Sequence, residues 1–227
     1  MALLEDIFNT SSLLIKIAQQ ERASRKLISA AESNDLYAVK NLLKQGVDIN
    51  KQNSYGDTAL IASARYGYVG IVDLLIEHGA DVNRKNDQGD TALIASARSY
   101  YPGAVKSLLN KGAFVDVKNQ FGETALMVAV RGGHAETVER LISKGANIEQ
   151  KNKAGESLVE MAEKYNKPEI AVMLQEAIDV RERLAREAAT AAEAARTRHL
   201  HDSTVSKQNE LKNLARLRGK PKRKPSP

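Results

Sequence analysis

The chain contains no cysteine and no tryptophan, four histidines, five prolines, and only seven tyrosines and three phenylalanines in 227 residues. Without cysteine there is no disulfide framework, thiolate nucleophile or thiolate metal site, which accords with a reducing compartment. The histidines, at 78, 134, 199 and 201, share no metal-ligand spacing, and His199 and His201 alone stand close together. No Ser-His-Asp arrangement, Walker loop or Gly-rich dinucleotide turn is present. No apolar run approaches the roughly 20 residues that span a bilayer. The opening stretch carries Glu5 and Asp6 where a signal peptide would be positive. The expectation is a soluble, cytoplasmic, monomeric, non-enzymatic chain with no metal, no cofactor and no small-molecule substrate.

What is present is a sentence repeated. Ser54–Asn86, Asp87–Asn119 and Gln120–Asn152 align at a period of 33 residues. Gly56, Gly89 and Gly122 mark a turn, Thr58, Thr91 and Thr124 follow, and Gly79, Gly112 and Gly145 come late in each unit. A fixed period of this length signals a solenoid, in which each unit buries its apolar face only against its neighbours. The threonines suit helix N-caps, because the hydroxyl accepts an orphan backbone N–H. A short Ala-rich helix follows, and then a second carrying Val72, Leu75 and Ile76 or their equivalents at i, i+3, i+4 spacing. The late glycines end that helix at C′. A degenerate unit, 27–53, keeps Val39, Leu42, Leu43 and Gly46. Another, 153–178, keeps Gly155, Ser157 and Leu174. Polar outer faces on terminal units keep such a stack soluble.

Thr-x-Leu, an Ala-rich helix, Val-x-x-Leu-Leu/Ile and Gly-Ala-Asp-Val-Asn at this period resemble the ankyrin repeat. The resemblance implies an all-α helix-turn-helix solenoid with β-hairpin-type loops. The family's Thr-Pro-Leu-His becomes Thr58-Ala59-Leu60-Ile61, Thr91-Ala92-Leu93-Ile94 and Thr124-Ala125-Leu126-Met127. The bracing histidine is missing, and apolar packing is expected to replace it. Gly-His after the first helix survives as Gly133-His134 but becomes Gly67-Tyr68 and Tyr100-Tyr101. Pro102 is expected to distort its inter-helix turn.

The resemblance further implies a non-enzymatic scaffold that docks a protein partner on a concave side, made by the hairpin tips and first helices. Carried over by register, that surface holds Tyr55, Asp57, Arg65 and Tyr66; Gln88, Asp90, Arg98 and Ser99; Phe121, Glu123, Arg131 and Gly132; and Glu156, Lys164 and Tyr165. The recurring acid and base rows read either as a charged recognition groove or as mutual salt bridges. Tyr55, Tyr66, Tyr68, Tyr100 and Tyr101 cluster in two units, with Phe121 at the next tip. Exposed tyrosines suit interface anchors. Tyr68 and Tyr101 have the alternative role of filling the space the family's histidine leaves. Tyr55, Asp57, Arg65, Tyr66, Gln88, Arg98, Tyr100, Phe121 and Arg131 are the candidate partner-binding residues.

The ends differ in character. Residues 1–26 have helical apolar spacing and suggest an amphipathic helix, or a helix pair broken near Asn9–Ser12, that caps the first repeat; a membrane-surface or partner-binding role is the alternative. From Pro168 a long helix is expected to reach about residue 200, with 179–200 forming a solvated extension or a self-association seam through Val180 and Leu184. Residues 201–227 read as a disordered basic tail. Lys207–Pro227 carries a net +7, which leaves −1 for the rest of the chain. Its end, with Lys220, Lys222, Arg223 and Lys224, resembles a nuclear localisation signal or a contact for nucleic acid or anionic lipid, with a solubilising tail as the plain alternative. The alternative functions are therefore an adaptor working through the tail, or a bacterial effector acting on host proteins.

Overall fold

The protein is described here by a computed structural model, which covers the backbone of residues 2–218 and the side chains of 17–199 and 202–212. Lys220, Lys222, Arg223 and Lys224 lie outside the described residues. The chain divides into two compact units, Met1–Glu176 and Ala177–Pro227.

The first unit is a stack of helix pairs: α1 (Ala2–Glu32) with α2 (Leu36–Lys44), α3 (Ala59–Arg65) with α4 (Val69–Glu77), α5 (Ala92–Ala97) with α6 (Pro102–Asn110), α7 (Ala125–Gly132) with α8 (Ala135–Ser143), and α9 (Leu158–Lys164) with the start of α10 (Pro168–Arg218). First helices pack on first helices in the order α1, α3, α5, α7, α9, and second helices α2, α4, α6, α8 form a parallel layer. The fold is an all-α repeat solenoid. The hairpin loops are turns, and no strand forms among the described residues.

Each local feature follows from its residues. Thr58, Thr91 and Thr124 cap their helices, their hydroxyls accepting from Ile61, Ile94 and Met127 N–H at 3.2, 3.4 and 3.3 Å. Ser157 caps α9 with a full capping box, Glu160 reaching back to the Ser157 N–H. The internal first helices α3, α5 and α7 are sandwiched between neighbours and buried almost all round, and Ala59, Ala62, Ser63 and Ala64 are small enough to admit close approach. Ser63 and Ser96 are buried, and their hydroxyls donate to Leu60 O and Leu93 O. The second helices bury a stripe, Val72 and Leu75, Val105 and Leu108, Val138 and Leu141, each fully inside. Every such leucine contributes about 1.5–3 kcal/mol of transfer free energy. Gly79 ends α4 at φ +88° in a Schellman motif, with Gly79 N–H donating to Ile76 O and Ala80 N–H to Leu75 O.

Two expectations need correction. The helix α1 runs unbroken from Ala2 to Glu32, so there is no break near Asn9–Ser12, and no helix end separates residues 1–26 from the first degenerate repeat. The position equivalent to Thr58 is Arg25, which cannot cap, and nothing starts a new helix there. The helix α10 continues through Arg218, so the segment from residue 201 is helical as far as it is described. The prolines that argued for disorder begin at residue 221, and 201–218 contains no proline or glycine. At the positions of the missing histidine, Ile61, Ile94 and Met127 are buried in the stack, as the apolar replacement predicts.

The turn after α5 departs from the others, as Pro102 suggests. The turn residue is left-handed in Asn34 (φ +57°), Gly67 (+71°), Gly133 (+79°) and Asn166 (+55°), whereas Tyr100 has no positive φ. Pro102 opens α6 at N1 and holds Tyr101 extended at φ −99°, ψ 99°. The helix α5 is accordingly cut to six residues.

In the second unit Ala177 and Ile178 of α10 are half-buried, and its described side chains from Asp179 onward are exposed. Val180 and Leu184 lie open to solvent, and Glu182 pairs with Arg186 at 3.0 Å.

Candidate protein-binding surface

The hairpin tips are built on asparagine. The Asn53 side-chain oxygen accepts from Tyr55 and Asp57 N–H, Asn86 from Gln88 and Asp90, Asn119 from Phe121 and Glu123, and Asn152 from Ala154 and Glu156, all near 3 Å. Such Asx turns fix the tip backbone from within. At two of these tips the asparagine nitrogen then reaches back to the acid of the tip before it. Asn86 Nδ2 donates to Asp57 Oδ1, and Asn119 Nδ2 to Asp90 Oδ1, both at 2.8 Å.

The carboxylates are claimed from the other side by the row of bases. Arg65 Nη2 reaches Asp57 Oδ2 at 2.6 Å, Arg98 Nη2 reaches Asp90 Oδ2 at 2.7 Å, Arg131 pairs with Glu123, and Lys164 with Glu156. The mutual salt-bridge reading of the two rows therefore describes the geometry. Asp57 is only 2% exposed, with both carboxylate oxygens occupied. It is a structural brace and cannot meet a partner directly, which corrects its place among the candidate contacts. At the last repeat, Asn152 turns its nitrogen to its own Glu156. Hydrogen bonds from Lys164 and then Asn152 hold the Glu156 carboxyl below its usual range, and the same Glu156 bond raises Lys164.

The aromatics are not spent on bracing. Tyr55 is 73% exposed, Tyr66 48%, Tyr100 80% and Phe121 56%. The Tyr66 ring stacks on Tyr68 at 5.6 Å. Tyr101 lies against Gly67, where a Cβ would come within 2.7 Å of its own Cβ, yet it stays exposed. It covers the preceding turn without filling an interior space. The Tyr100 ring meets His134 edge-on at 5.9 Å, while His134 Nε2 reaches Arg98 O at 3.1 Å.

A groove of about 660 Å³ opens between the tips and the first helices. It brings together six candidate residues, Tyr55, Asp57, Arg65, Tyr66, Gln88 and Arg98. Tyr100, Phe121 and Arg131 are not part of its lining. Four of its lining residues, Glu32, Ser54, Asn86 and Asp87, were missed. Asp87 was detectable as the acid at a position held by Ser54, Gln120 and Lys153 in other units. Phe114 was also missed; it is 66% exposed where the other units carry Asp48, Asp81 and Asn147.

The family described as "Ankyrin repeats (3 copies)" matches residues 27–119 and 100–183, which together cover most of the chain. The chain belongs to the ankyrin repeat family. Two ankyrin repeat proteins of Rickettsia felis are similar to parts of these repeats. One is 37% identical over 57 residues, 25% of this chain and 90% of the relative. The other is 39% identical over 62 residues, 26% of this chain and 94% of the relative. Ankyrin repeats generally serve as protein–protein interaction modules and are typically non-enzymatic.

Proposed function

We propose that this chain is a non-enzymatic scaffold that binds a protein partner on the ankyrin face formed by its hairpin tips and first helices. One observation carries the reading: Tyr55 and Tyr66 stand exposed in the groove while the polar groups that brace the repeats satisfy one another. Tyrosine covers area with few rotors and offers a polar end, so an ordered exposed ring loses little entropy on binding. Phe121, at the next tip, extends the apolar surface beyond the groove.

The test is to capture a partner with the full chain and replace Tyr55, Tyr66 and Phe121 by alanine. Affinity should fall about tenfold or more while thermal unfolding stays nearly unchanged, since exposed truncations cost little stability. Unchanged affinity would overturn the assignment of this face.

A further inference from the structure

The charges lining the groove do not balance. Asp57 and Asp90 are cancelled by Arg65 and Arg98 in direct pairs of 2.6 and 2.7 Å. The two remaining charged groups, Glu32 and Asp87, are both exposed acids. No ion pair or side-chain hydrogen bond holds either carboxylate among the described residues. Asp87 is fixed beside the first tip, because its N–H donates to Tyr55 O at 3.2 Å. The groove thus combines two unmatched negative charges with two exposed aromatic rings, one of them stiffened by its stack on Tyr68.

We infer that the groove selects a protein segment presenting a lysine or arginine side chain. The inference rests on the docking face proposed above and names what that face prefers. A cation over a tyrosine ring within about 6 Å is attracted by the ring quadrupole, and arginine also stacks on it. Glu32 and Asp87 supply the counter-charge. An acidic segment finds the opposite situation, since both guanidinium groups are already engaged and the two free carboxylates repel it. Charge complementarity of this kind discriminates partners more than it raises affinity.

The probe is a pair of six-residue capped peptides, Gly-Ser-Lys-Gly-Arg-Ser and its counterpart with glutamate in place of both bases, titrated into the isotopically labelled full chain. The basic peptide should shift the Tyr55, Tyr66 and Gln88 amides saturably, and less so in high salt. The E32Q/D87N variant should bind it about fivefold more weakly, as expected for two exposed ion pairs. Both side chains are exposed, so the variant should fold like the parent, which circular dichroism checks. Equal shifts with the acidic peptide, no shift with the basic one, or affinity indifferent to E32Q/D87N each overturn the inference. The docking face is separable from it. A captured partner that loses affinity with the aromatic triple variant but ignores E32Q/D87N leaves the face standing and removes the basic preference. A partner that ignores both removes the face as well.

Discussion

Asn86 donates its side-chain N–H to the carboxylate of Asp57, 2.8 Å away and 29 residues earlier in the chain. The same asparagine accepts from the backbone of Gln88 and Asp90. A single side chain therefore shapes its own tip and clamps the repeat behind it. Asn86→Ala should destabilise the protein by about 3 kcal/mol, because it strands a buried carboxylate oxygen and two backbone donors. Urea unfolding checks this, and a loss within the range of an ordinary surface change would contradict the clamp.

Gly67 adopts φ +71° with Tyr101 of the next repeat pressed against it. Gly67→Ala should cost about 1–3 kcal/mol through the left-handed conformation alone, with the ring contact adding to it. Gly79→Ala supplies the comparison: its φ is similar at +88°, but no atom lies within 4 Å of the added carbon. The Gly67 variant should unfold at the lower denaturant concentration of the two.

The last repeat should be sensitive to pH in both directions. Glu156 is held below its usual value by Lys164 and Asn152, so its contribution is present above the unfolded-state value and is lost as pH falls through the lower folded one. Lys164 is raised by the same pair, so its contribution is present below the unfolded-state value and is lost as pH rises through the higher folded one. Both groups are solvent-accessible and the effect should be small. Comparing melting temperatures of the parent and Glu156→Gln across pH should show the difference shrinking at the acid and alkaline extremes.

Much of this was legible in the sequence, for identifiable reasons. The threonine caps, the C′ glycines and the Val-x-x-Leu stripes act within a single turn of helix, so their spacing alone specifies them. The irregular turn at Tyr100–Pro102 was legible too, because it is a backbone restriction on adjacent residues. Asp57 was not, since its burial depends on Asn86 and Arg65 arriving from different distances along the chain. The recurring Asn53, Asn86, Asn119 and Asn152 were visible as repeat endings, but their acceptor and donor roles require the tip geometry. The long α1 was obscured because Arg25 and Ser24 occupy the positions where full units place Thr58 and Asp57, and continuity was read as a boundary.

Deleting Lys207–Pro227 removes a segment of net charge +7 and none of the groove residues. A partner held on the ankyrin face should keep its affinity within about twofold, well under the tenfold that 1.4 kcal/mol represents. Binding measured at two salt concentrations, with and without the segment, checks this. A large loss on deletion would place the working contact in the tail instead.

The brace from asparagine to the preceding acid spans 29 residues inside a 33-residue period at both places where it forms, Asn86 to Asp57 and Asn119 to Asp90. Duplicating or excising Asp87–Asn119 as a whole would add or remove a complete clamp, because both Asp90 and Asn119 lie within it. Any other insertion length would leave an asparagine facing the wrong partner and a carboxylate buried without one. The network thus makes the gene tolerant of copy-number change in whole units and intolerant of fractional change, so the reach of the binding face can grow or shrink in fixed steps without a new solution to folding.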